Sequence, residues 1–122
     1  MSKKESFLVN RLKSLGCAFK GAVFLIKTEA SIKIQVFCAI AITLAGFYFN
    51  ISKTEWLIQI SCIGLVMSLE GMNTAIESIA DFIHPERHEA IGKIKDIAAG
   101  AVFIAAICSA IVALIIYIPK IF

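Results

Sequence analysis

The segment from Ile97 to Pro119 is twenty-three residues long and carries no charge. As a helix it would extend roughly 34 Å at 1.5 Å per residue, enough to cross the hydrocarbon depth of a bilayer, and such a run has few homes outside a membrane. Ala101, Ala105, Ser109 and Ala113 recur in it every four residues, a small-residue line along which another helix can come close. The remainder of the chain fits that start. Of 122 residues 59% are hydrophobic and 17% charged, which excludes disorder and would force a soluble domain of this length to display large apolar patches.

Ile34 to Ser52 is a second uncharged run, nineteen residues or about 28 Å as a helix. After the polar turn Asn50-Ile51-Ser52-Lys53-Thr54, a third apolar stretch opens at Trp56 and stays uncharged only through Leu69. That is too short to cross, so the span must take in Glu70 and continue to about Ile76. Upstream, Leu8, Leu12, Leu15, Phe19, Val23 and Ile26 form one helical stripe, with Lys13, Lys20 and Lys27 beside it. An apolar face bordered by lysines suits a helix lying in the membrane interface with its lysine stems reaching toward lipid phosphates. The reading is an all-α integral membrane protein: an interfacial helix at 7–29, spans at 32–51, 54–83 and 96–119, and a polar loop at 84–95 in which Pro85 breaks the preceding helix.

Orientation follows from the basic residues. Lys3, Lys4, Arg11, Lys13, Lys20, Lys27, Lys33, Arg87, Lys93 and Lys95 fall on one side and only Lys53 and Lys120 on the other, which places the N-terminus and the 84–95 loop in the cytoplasm. Tyr48, Trp56 and Tyr117 then lie at the outer interface, where amphipathic rings anchor. A net charge of +3 from twelve basic and nine acidic residues is too thinly spread for nucleic acid. Cys17, Cys38, Cys62 and Cys108 occupy separate apolar segments with no C-x-x-C pair, and read as buried free thiols. His84 and His88 flank Pro85 and read as loop histidines rather than metal ligands.

Chemistry concentrates in one stripe. Glu70, Asn73, Glu77 and Asp81 are spaced three, four and four, so they share a helical face about 80° wide. Carboxylates gathered near a membrane repel one another unless a cation or protons intervene. Magnesium is commonly held by one or two carboxylates together with substrate phosphates, and Glu29 is a further carboxylate at similar depth. Lys93, Lys95 and Asp96 stand where the third span would begin, so a lysine and free backbone N–H groups would meet there and attract phosphate. Glu70, the deepest carboxylate, suits proton abstraction. No G-x-x-x-x-G-K-[ST] loop occurs. A different reading is a small ion- or proton-coupled membrane protein whose carboxylate stripe lines a pathway; Lys95 argues against it, since a cation path would not want a lysine there.

The run Leu69-Glu70-Gly71-Met72-Asn73-Thr74-Ala75-Ile76-Glu77, then Asp81, then Lys95-Asp96-Ile97-Ala98-Ala99-Gly100-Ala101-Val102, resembles the small prokaryotic diacylglycerol kinase and undecaprenol kinase family, as does Ala18-Phe19-Lys20-Gly21 followed by Glu29. The resemblance implies a homotrimer of three-span subunits in the bacterial inner membrane, with sites between subunits, transferring the γ-phosphate of ATP to a lipid hydroxyl. By position it implies Glu70 as general base, Glu29 and Glu77 as magnesium ligands that also contact nucleotide, and Lys95 and Asp96 as nucleotide contacts. Glu86, Arg87 and His88 match its loop contacts to nucleotide, and Asn73 its motif asparagine; Asp81, Lys20, Trp56 and Ala99 would support the site or the lipid. The segment Glu29-Ala30-Ser31-Ile32-Lys33-Ile34-Gln35 matches neither the diacylglycerol-kinase nor the undecaprenol-kinase form, which leaves the lipid acceptor open.

Overall fold

The computed structural model describes residues 6–122 as four helices, α1 (Phe7–Thr28), α2 (Ala30–Tyr48), α3 (Lys53–Ile83) and α4 (Glu89–Ile121). Lys3 and Lys4, counted above toward the cytoplasmic side, lie outside the described residues. α2, α3 and α4 are each long and apolar enough to cross a membrane. Because they alternate in direction, Glu29, the end of α3 and the start of α4 share one end of the bundle, and the turn at Asn50 shares the other with Lys120.

Local chemistry explains the boundaries. The Ser6 hydroxyl accepts from the Val9 N–H at 3.2 Å and caps α1. A single extended residue, Glu29 (φ −94°, ψ 119°), separates α1 from α2. Immediately before it the Thr28 hydroxyl donates to the Phe24 carbonyl at 2.7 Å, a back-bond of the kind that bends helices. Between α2 and α3, Asn50 takes the left-handed region (φ 51°), which asparagine tolerates. Ser52 and Glu55 then form a reciprocal capping box that starts α3.

Most boundaries fall within two residues of the sequence expectation, and two differ by more. α2 ends at Tyr48, short of 51. More consequentially, α4 begins at Glu89, so the loop is 84–88 rather than 84–95. Charge does not end a helix: Glu89-Ala90-Ile91-Gly92-Lys93-Ile94-Lys95-Asp96 extends the third span as helix beyond its apolar part, and His88 caps it by accepting from the Ala90 N–H at 3.1 Å.

α3 and α4 form the tightly packed pair, while α2 meets α3 most closely near the Asn50 turn. The face that α4 buries runs through Ala98, Val102, Ala105 and Ile116, whereas Ala101 is exposed. A strict four-residue line drifts about 40° per step around a 3.6-residue helix, so contact passes to a neighbouring register. Near the Asn50 turn, Ile51, Ile116 and Tyr117 are buried under Ile42, Phe49, Trp56 and Val112. Within this apolar layer the Tyr117 hydroxyl donates to Gln59 Oε1 at 2.6 Å, and Gln59 Nε2 donates to the Ile42 carbonyl at 3.3 Å. The expectation of buried cysteines fails: Cys17, Cys38 and Cys108 are exposed on the chain and Cys62 half-buried, all as free thiols. Lipid tails are as apolar as a protein interior, so such side chains face outward at little cost.

Candidate active site

The end of the bundle that gathers Glu29, the last turns of α3 and the first turns of α4 holds nearly all the expected site residues. Along α3 the polar stripe changes character. Glu70 is half-buried, Asn73 is 8% exposed, and Glu77 and Asp81 are exposed. Asn73 Nδ2 donates to Glu77 Oε1 at 3.2 Å and so fixes that carboxylate. Asn73 Oδ1 is enclosed and has no partner, an acceptor left open inside the site.

Asp81 accepts from Lys95 Nζ at 2.5 Å, an ion pair joining α3 to α4. This corrects the expected role of Lys95 at a helix start. Because α4 begins at Glu89, Lys95 lies about 9 Å into the helix, past the free N–H groups, and its ammonium is turned toward α3. The helix start instead belongs to a polar cleft lined by Arg87, His88, Glu89, Gly92, Lys93 and Asp96. Arg87, His88 and Asp96 are therefore together, and Lys93, expected beside the start of the third span, joins them. Glu86 is exposed, and its carbonyl accepts from His84 Nδ1 at 2.7 Å.

Glu29 is half-buried at the break between α1 and α2, and neither its carboxylate nor that of Glu70 has a side-chain hydrogen bond or ion pair to a described residue. Lys20 and Ala99 are exposed. Trp56 stands apart. It is at the far end of α3, about 21 Å along the axis from Glu70, and packs on Gly46 and Phe47. That distance separates it from Glu70 and the carboxylates at the other end of the bundle.

A model of one protein family, described as prokaryotic diacylglycerol kinase, matches residues 16–117. The chain belongs to this family. It is 38% identical over 120 residues to an undecaprenol kinase of Bacillus subtilis, covering 98% of both chains. It is 33% identical over 102 residues to a diacylglycerol kinase of Haemophilus influenzae, covering 84% of this chain and 86% of the relative. A diacylglycerol kinase of Escherichia coli is 30% identical over 111 residues, covering 91% of both. The chain is thus a lipid kinase and a multi-pass bacterial membrane protein, and the ion-pathway reading of its carboxylate stripe gives way.

A magnesium ion fits the donors of this kinase. Among the described residues no three His, Cys, Asp or Glu side chains converge, but magnesium asks the protein for only one or two carboxylates when phosphates supply the rest. Glu77, oriented by Asn73 and exposed on the stripe, offers a free carboxylate oxygen of that kind. Two residues that counting charges overlooked are Gln59, at the buried knot with Tyr117, and Gln35, on α2. The signal available for both was an uncharged amide in an otherwise apolar run.

Proposed function

We propose that the chain transfers the γ-phosphate of MgATP to the hydroxyl of a membrane lipid, diacylglycerol or undecaprenol, at the cytoplasmic face of the inner membrane, working as a homotrimer with sites completed between subunits. The observation that carries this reading is the gradient along α3. The Glu70 carboxylate is half-buried beside the apolar part of the helix, while the Asn73-held carboxylate of Glu77 is exposed two turns further along it. Lipid hydroxyl and nucleotide phosphate must approach from membrane and water respectively.

In this mechanism Glu70 takes the proton from the acceptor hydroxyl as its oxygen attacks the γ-phosphorus; the new O–P bond forms as the bond to the β–γ bridging oxygen breaks, and ADP leaves. Glu77 and Glu29 would hold magnesium, which when bound neutralises charge on the phosphates. Arg87, His88, Lys93 and Asp96 line the cleft beside the path of the nucleotide. Glu86, and Lys95 released from Asp81, add further contacts to it. The N-terminus and loop 84–88 lie in the cytoplasm in this reading, which the excess of lysine and arginine on that side supports.

The test is direct. Purified protein in mixed micelles is given γ-labelled ATP with diacylglycerol and undecaprenol in parallel, with and without magnesium. Label should enter a lipid only when magnesium is present. No transfer to either lipid, under conditions in which the protein is folded, would sink the proposal.

A further inference from the structure

We propose that Gly71 is a positioning residue for the magnesium site: the notch it leaves in α3 seats Leu25 of α1, and through Leu25 it sets where Glu29 presents its carboxylate. The inference rests on the reading of Glu29 as a magnesium ligand and adds the residue that places it. A glycine in the middle of a helix weakens it relative to alanine, so its presence there needs a cause. At Gly16, Gly21, Gly64, Gly92 and Gly100 a Cβ would meet nothing within 4 Å. At Gly71, half-buried and between Glu70 and Asn73 in sequence, it would stand 2.8 Å from Leu25 Cδ2. Apolar carbons settle at about 3.5–4.0 Å, so a methyl group at this position and the Leu25 side chain cannot both keep their places.

Leu25 matters because of what it is bonded to. Its carbonyl accepts the Glu29 N–H at 3.1 Å, and the Glu29 carbonyl in turn accepts the Lys33 N–H at 3.1 Å. Glu29 is thus tied to the last turn of α1 on one side and the first turn of α2 on the other, its own backbone extended between them. α1 buries none of its residues, so the few contacts it makes set its tilt, and Leu25 is half-buried where it meets α3. A shift of α1 against α3 therefore moves the hinge at Glu29. From that hinge the carboxylate reaches the α3 carboxylates, of its own chain or of a neighbour. Magnesium demands near-octahedral geometry with oxygens at about 2.0–2.1 Å, which a displacement of about 1 Å breaks.

Manganese reads the site without turnover, because it takes the same oxygen ligands and is paramagnetic. In a titration of purified protein with a non-hydrolysable ATP analogue present, Gly71→Val should weaken manganese binding about 10-fold, the low end for residues that orient a metal ligand. Gly71→Ala should weaken it less, since Leu25 can turn its methyl aside. In turnover the magnesium needed for half-maximal rate should rise in step, with kcat at saturating magnesium and the KM for acceptor within about twofold of wild type. Leu25→Ala removes the colliding methyls, so adding it to Gly71→Val should restore manganese affinity to within about threefold of wild type. In a Glu29→Gln background Gly71→Val should change the affinity no further, because the two act through one carboxylate. Unaltered affinity in both Gly71 variants overturns the assignment, as does a loss that Leu25→Ala does not relieve or that Glu29→Gln does not absorb. If Gly71→Val fails to assemble, Gly71→Ala carries the same comparisons. A manganese affinity untouched by Glu29→Gln alone would remove the ligand reading and this inference with it, while leaving the kinase reading in place.

Discussion

At the residue scale the sharpest contrast lies along one face of α3. Glu70→Gln should cut kcat by ~10²-fold or more, the low end for general base catalysis, while leaving the KM for MgATP nearly unchanged. Glu77→Gln should instead weaken MgATP. An unchanged kcat at Glu70→Gln would move the base to Asp81 or Asp96. Asn73→Ala tests the link between these positions, since it removes the 3.2 Å bond that orients Glu77. We expect the KM for MgATP to rise about 3- to 10-fold with kcat less affected, read in steady-state kinetics at saturating acceptor. Equal loss at every MgATP concentration would place Asn73 in the chemical step instead.

At the scale of elements, the Asn50 end of the bundle is where α2 is held. A Cβ on Gly46 would stand 2.6 and 2.8 Å from ring carbons of Trp56, so Gly46→Ala should destabilise by ~1–3 kcal/mol and shift the emission of the chain's one tryptophan. An unshifted spectrum and melting temperature would mean that the ring has room to move. What the sequence disclosed about these elements follows from what hydropathy measures. Three spans were readable from uncharged length, and the second needed Glu70 only because fourteen residues are too few. The start of α4 was not readable that way, because helix continues on propensity and capping after hydrophobicity stops, and Lys95 was misplaced for that reason. The α3 stripe was legible as a face; its division into a half-buried Glu70 and an exposed Glu77 depends on what packs beside it. Gln35 and Gln59 were invisible to a count of charges, although an amide in hydrocarbon must find partners as surely as a carboxylate must.

At the scale of the molecule, orientation and assembly are both open to measurement. Single cysteines placed at Lys53 and Lys120 should react with a membrane-impermeant maleimide from outside intact cells, and those at Arg87 and Lys93 only after the cells are opened. Reversal would put the polar cleft on the side without ATP. If sites are completed between subunits, with Glu29 and the α3 carboxylates contributed by different protomers, mixing the impaired Glu29→Gln and Glu70→Gln proteins in detergent should restore measurable turnover, whereas self-contained sites would gain nothing in any mixture.

The knot formed by Tyr117, Gln59 and the Ile42 carbonyl also bears on how the protein is made. Its members come from the first, second and third spans, so they leave the ribosome in the order 42, 59, 117. While only α2 and α3 are in the bilayer, the Gln59 amide can give its hydrogen to Ile42 but has nothing to accept, and an amide oxygen stranded in hydrocarbon is costly. The third span brings the missing hydroxyl. Biogenesis is therefore ratcheted from the far leaflet: the half-built chain carries a polar debt that only the correct register of the last helix settles, and a slip of one turn in either direction would leave it standing.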